Sequence, residues 1–311
     1  MGGKVRHIRA TTTVLAGLVV TLLGLGLESL HAREMMDEAG RWVGVPELPR
    51  RIVSLAPSIT ECLFALGLDE EVVGVTQYSN YPPKVASLPQ VGSYVHLNLE
   101  RILALRPDLV LATRDGNPRD QVERLAKMGM TVYTTDPRSL EGLFRTLEAM
   151  GEIFRREERA AGIVREMKAR LARVESLVNE RPRPRVFLQI DIHPLVTVGK
   201  GTLQNHLIEL AGGENVAATE SIQYPILSME RILETRPEVI LVSSMVADSA
   251  QELRRWRKWR EIPAVAHGRL HMVDADLIDR PSPRVLDGLE EMVRLIHPEV
   301  SAGLKSGKRG W

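Results

Sequence analysis

Short apolar runs alternate along this chain with longer segments whose apolar residues recur at helical spacing. Strands are predicted at Arg51 to Ala56 (RIVSLA), Val72 to Thr76 (VVGVT), Asp108 to Thr113 (DLVLAT) and Met130 to Thr135. Between them, ITECLFAL and LERILALR read as helices. Ser58 is placed to cap the first of these, and Gly67 to provide its left-handed exit. Ahead of them, DEAGRWVGV from Asp37 to Val45 reads as a short hairpin. Uninterrupted apolar strands alternating with helices predict an α/β fold with a parallel sheet covered on both faces.

From Glu157 to about Asn179 there is no Pro, and no Gly after Gly162. Ile163, Val164, Met167, Leu171, Val174 and Leu177 fall at helical spacing, which predicts one long helix. About 23 residues at 1.5 Å each would span about 35 Å, more than a crossover inside one lobe needs. The second half then replays the first. LNLERILALRPDLVL from Leu97 matches LSMERILETRPEVIL from Leu227 at a constant offset of 130 residues, with eight of fifteen positions identical. Each half also opens with an Arg-led strand (RIVSL, RVFLQ). The expected organisation is two similar parallel-sheet lobes, residues 33–155 and 181–300, joined by a single helix over 156–180, with a ligand cleft between them and a flexible tail over 301–311.

The first 32 residues read as an export signal: Lys4, Arg6 and Arg9 without an acid, an uncharged run from Val14 to Leu27, and a small-residue end at Ala32. The run is shorter than the roughly 20 residues of a membrane span. Export to the periplasm with cleavage is expected. Removal would take the formal charge from +1 to −1, since it deletes three basic residues and Glu28. With 41 Lys plus Arg against 40 Asp plus Glu, the balance gives no reason to invoke nucleic acid. One cysteine, Cys62, excludes an internal disulfide and reads as core.

Candidate chemistry is sparse. There is no GxSxG, no GxxxxGK[ST] and no HExxH, so an enzyme is not expected. Gly199 and Gly201 suit a tight turn before Thr202 caps a helix. His267 and His271 flank a loop and strand, where their spacing does not aim both rings at one metal. Aromatic residues make up only 4% of the chain, yet Tyr78, Tyr94 and Tyr224 all fall in loops, where aromatics on a rigid scaffold commonly bind ligands or serve as packed anchors. Trp256 and Trp259 in RRWRKWR read as packing a basic helix onto its lobe. Glu100 and Glu230 occupy equivalent places in the repeat, two residues after the cap candidates Asn98 and Ser228. The helix dipole alone favours a carboxylate there. Two exposed carboxylates, one per lobe, also suit a two-fold partner with basic pockets.

Taken with the export signal and the two-lobe pattern, RIVSLAPSITECLFALG and LNLERILALRPDLVLAT resemble the helical-backbone class of periplasmic binding proteins, which feed ABC importers of cobalamin, ferric siderophores and haem. YSNYPP, VGSYVHLNLERILALRPDLVLATRDGN, RVFLQIDIHPLVTVGKGTLQNHLIELAGGEN and DRPSPR are most similar to cobalamin-binding members. The resemblance implies a monomer without resident cofactor or metal that binds cobalamin or a related corrinoid and delivers it to a membrane permease dimer. Ferric siderophore or haem is the alternative cargo, with Tyr78, His96 or His193 as axial candidates for haem. By the same resemblance Tyr78, Tyr94 and Tyr224 line the cleft, Ser58 faces it, and Asp276, Asp279 and Arg280 lie in the segment contacting the corrin amides. Tyr94 and Tyr224 stand where the similar proteins carry tryptophan, and Val196 where they carry phenylalanine, which reduces stacking area. Glu100 and Glu230 match the glutamates that dock onto permease arginines, and the single linker helix implies a small hinge movement.

Overall fold

The computed structural model describes residues 32–304. The segment read as an export signal therefore lies, apart from Ala32, outside the described residues. Strands β1 (Ala32–Met36) and β2 (Trp42–Pro46) pair antiparallel, Ala32 opposite Pro46. The hairpin is thus displaced from the one expected over Asp37 to Val45, and Asp37 to Arg41 form its turn. Asp37 is the cause: its Oδ1 accepts from the N–H groups of Ala39 and Arg41, and its Oδ2 from the Arg41 guanidinium at 2.6 Å. Such a local carboxylate network reverses the chain where the sequence pattern suggested a strand.

The first lobe contains β3 (Ile52–Ser54), α1 (Pro57–Ala65), β4 (Val72–Val75), α2 (Leu99–Ala104), β5 (Leu109–Thr113), α3 (Arg119–Lys127), β6 (Val132–Thr135) and α4 (Leu140–Ile153). Its strands are all parallel, in the order β4-β3-β5-β6. Ala56, not Ser58, is the N-cap of α1. Pro57 takes the first helical position, where its missing N–H and fixed φ cost nothing, and this moves Ser58 inside the helix. Gly67 makes the left-handed exit at φ +76°.

Helix α5 (Glu157–Val178) leads into the second lobe, made of β7 (Arg185–Ile192), β8 (Leu195–Thr197), α6 (Leu203–Leu210), β9 (Glu214–Asn215), α7 (Met229–Thr235), β10 (Val239–Ser243), α8 (Ser249–Trp256), α9 (Pro263–Ala266), β11 (Leu270–Val273), α10 (Ala275–Ile278) and α11 (Val285–Ile296). The sheet order is β11-β10-β7-β8, with β9 also beside β7. Strand β10 runs parallel to β7 and β11, while β8 is antiparallel to β7. Thr202 caps α6 by accepting from Asn205 N–H. Trp256 is buried at the end of α8, whereas Trp259 lies past that end in the following turn. Leu304 is buried against the core, so the chain is still packed at the start of the expected tail, and residues 305–311 lie outside the described residues.

The sequence repeat is also a structural one. Asn98 and Ser228 each cap their helix by accepting from the N–H three residues on, Arg101 and Arg231. Each helix exits through a left-handed arginine, Arg106 at φ 46° and Arg236 at φ 48°. The Arg51 Nε donates to the carbonyls of Leu105 and Arg106 at 3.2 and 3.1 Å, and Arg185 Nε does the same for Thr235 and Arg236 at 3.1 and 3.0 Å. These cations satisfy carbonyls that a helix end otherwise leaves open.

Both sheets bury both faces, which explains their uninterrupted apolar strands. Ile52, Leu109 and Leu111 of the first lobe and Val186, Leu188 and Leu241 of the second join one apolar cluster with Met167, Leu171 and Val174 of α5. The alternate residues face outward beneath α2 and α7: Val53, Val110 and Ala112 pack with Ile102, and Phe187, Ile240 and Val242 with Ile232. The linker helix thus belongs to a core shared by the lobes. It is fixed to the first by Arg159 Nε, which donates to Ala65 O at 2.5 Å. Buried Arg170 fixes it to the second, meeting Asp287 at 2.7 Å and Glu290 at 2.9 Å on α11.

Candidate functional site

Loops at the ends of the sheets meet across the gap between the lobes. On the first lobe, the turn after β5 is organised by buried Asn117. Its Oδ1 accepts from Thr113 N–H at 2.8 Å, and its Nδ2 donates to the carbonyls of Leu55 and Tyr94 at 2.9 and 2.7 Å. Gly116 has φ +119°, and a Cβ there would lie 1.8 Å from Tyr94 Cε2. The ring of Tyr94 therefore rests directly on the glycine backbone, a close approach that only glycine permits. Asp115 is held beside it.

From the second lobe, Tyr224 reaches across and its Oη donates to Asp115 Oδ2 at 3.2 Å. Tyr224 keeps 38% of its surface exposed, yet partial burial and the carboxylates of Asp115 and Asp279 push its phenol above the ordinary tyrosine range. Burial and the same two carboxylates push Tyr94 up as well. Burial raises Asp279 to about 6. Its Oδ1 accepts from Gln204 Nε2 at 2.8 Å, while its Oδ2, closed off from water, has no hydrogen-bond partner. Tyr94 and Tyr224 thus lie close to both Asp115 and Asp279, with exposed Ile222 and Ile226 flanking Tyr224 along the chain.

Asp276 and Arg280 form an adjoining group at the interlobe seam. Arg280 donates to Glu61 Oε1 at 2.9 Å and to Asn80 Oδ1 at 2.7 Å, both across the seam, and to the Tyr78 carbonyl at 3.2 Å. Asp276 meets Arg280 at 2.5 Å and accepts from Asn80 Nδ2 at 2.9 Å. Arg284 Nη1 reaches the same Glu61 oxygen at 3.0 Å, and Ser282 Oγ donates to the other at 2.5 Å. Burial pushes the Glu61 carboxyl up, against the pull of Ser282 and the two arginines. The Tyr78 ring stays exposed at this seam. Neither Ser58, buried in the first turn of α1, nor Val196, half-buried in β8 and bridged to Ile226, enters these hydrogen-bonded groups.

Asp115, Asn117, Glu61, Asn80 and Gln204 carry no local pattern that singles them out. The clearest trace was the RDGN turn, where an Asx residue and a glycine follow a buried strand. Glu100 and Glu230 are exposed in the first turns of α2 and α7. A backbone N–H and the Ser228 hydroxyl hold Glu230 below the usual carboxylate range. Among the described residues no helix is long and apolar enough to cross a membrane.

The family model described as periplasmic binding protein matches residues 52–277. A vitamin B12-binding protein of Vibrio cholerae is 32% identical over 243 residues, covering 78% of this chain and 87% of its own. The crystal structure of the periplasmic vitamin B12-binding protein of Vibrio cholerae superposes with a TM-score of 0.74 at 30% identity, covering 82% of this chain and 98% of its own. A periplasmic heme-binding protein from Roseiflexus sp. RS-1 follows with a TM-score of 0.73 at 26% identity, covering 81% and 99%.

Proposed function

The chain belongs to the periplasmic binding protein family, and from that premise we propose that it captures cobalamin or a related corrinoid between its lobes and hands it to the permease dimer of an ABC importer. The family consists of substrate-binding transport proteins, so the chain is a binding component and not an enzyme. The observation that carries the corrinoid is the distribution of charge around the cleft. Arg280 and Arg284 are paired with Glu61, and Arg114 and Arg138 with Asp136 at 3.5 and 3.0 Å. Asp115 and Asp279 meet only the neutral donors Tyr224 and Gln204. Asp115 and Asp279, neither in an ion pair among the described residues, offer acceptors that suit a macrocycle edged with amide N–H groups better than a haem with its carboxylates or an anionic ferric chelate. Tyr94 and Tyr224, one from each lobe, supply aromatic faces for the ring, with Val196 beside the Tyr224 loop and Tyr78 at the seam.

Asp276 and Arg280 would position the seam and Tyr78, while Ser58 presents the start of α1. In this reading Glu100 and Glu230 dock onto basic pockets of the permease, and residues 1–32 direct export and are removed. Gel filtration of the chain from residue 33 with cyanocobalamin tests the cargo. The visible absorbance of the corrinoid should co-elute with the protein at one equivalent, and co-elution of haem alone would replace the corrinoid by the haem alternative.

A further inference from the structure

The turn that carries Asp115 is held from both sides. Asn117 braces the turn on one side, and Tyr94 packs on Gly116 on the other. The Asp115 carboxylate is exposed at the gap and takes one hydrogen bond, from a tyrosine of the opposite lobe. A ligand that separates Tyr224 from Tyr94 takes up this position or bridges it. The nearby cations Arg114 and Arg138 pair with Asp136, and neither forms an ion pair with Asp115.

Resting on the corrinoid reading of the cleft, we propose that Asp115 is a specificity-determining residue that accepts a hydrogen bond from a peripheral amide of the ligand and rejects a carboxylate at the same place. An amide donates its N–H to the carboxylate. A ligand carboxylate offers no donor and adds like-charge repulsion between two partly desolvated groups. Because Asp115 is exposed, the discrimination is moderate and weakens with salt.

Cyanocobalamin and its monocarboxylate isomers, each with one peripheral amide hydrolysed to the acid, provide the test. Wild type should bind at least one isomer about fivefold more weakly than the parent amide, and Asp115→Asn should narrow that ratio to about twofold or less. Glu148→Gln, which removes the same charge from the exposed face of α4, should keep the wild-type ratio. Equal ratios in wild type and Asp115→Asn for every isomer would overturn the proposal, as would the absence of discrimination in wild type or the same narrowing in Glu148→Gln. In those three outcomes the corrinoid reading stands. Failure of wild type to bind cyanocobalamin itself would remove both.

Discussion

Arg280 of the second lobe donates to Glu61 of the first at 2.9 Å, and the Glu61 side chain is only 2% exposed. This bond, with that of Arg284 to the same oxygen, ties the lobes through buried charge at the seam, while the linker helix ties them through apolar contact. Glu61→Ala would leave largely buried Arg284 without a carboxylate and Arg280 with Asp276 alone. A loss of about 3 kcal/mol is expected from such a change, measured as a lowered urea midpoint. Glu61→Gln, which keeps a polar partner for Ser282, should lose less.

Gly116→Ala addresses the bed of Tyr94. The added Cβ would fall 1.8 Å from the ring at a φ of +119°, so the ring has to move and the backbone has to strain. Ligand affinity should fall about tenfold, roughly 1.4 kcal/mol, in a fluorescence titration. Gly40→Ala, at a positive φ in open space, is the control for backbone strain alone.

Asp279 makes stability depend on pH. Burial raises its carboxyl from 3.8 to about 6 in the folded chain, so between about pH 4 and 6 the folded form holds a proton that the unfolded form has released. Stability contributed by this group is therefore present at low pH and lost as pH rises through 6. Wild type should lose on the order of 1–2 kcal/mol more than Asp279→Asn between pH 5 and 7.5, read from unfolding midpoints at each pH.

Exposed Glu100 and Glu230 touch neither group of cleft residues. Glu100→Ala combined with Glu230→Ala should leave corrinoid affinity within about twofold and reduce uptake by at least tenfold in cells that depend on this protein. Undiminished uptake by the double variant would show that the permease is engaged elsewhere.

Much of the fold was legible because its signals are local and periodic. The 130-residue repeat is visible because both halves build the same capped helix, left-handed arginine exit and buried strand. The linker helix declares itself by spacing. The hairpin was misplaced because Asp37 reverses the chain through side-chain bonds that apolar patterning does not register. Ser58 lost its capping role to the ordinary preference of Pro57 for the first helical position.

The site was less legible because its partners are far apart in sequence. Tyr94, Tyr224 and Asp279 stood out as residues, but Asp115 meets Tyr224 over 109 positions and Glu61 meets Arg280 over 219. Arg280 was expected only in a segment that contacts the corrin amides. Its neighbours across the seam account for its guanidinium, and that changes the charge offered to a ligand.

Calorimetric titration of the chain from residue 33 with cyanocobalamin, cobinamide, haem and a ferric siderophore in parallel tests the central claim most directly. The expected result is saturable one-to-one binding of a corrinoid and no heat from the two iron ligands. Saturation by haem or the siderophore with no response to either corrinoid would contradict it.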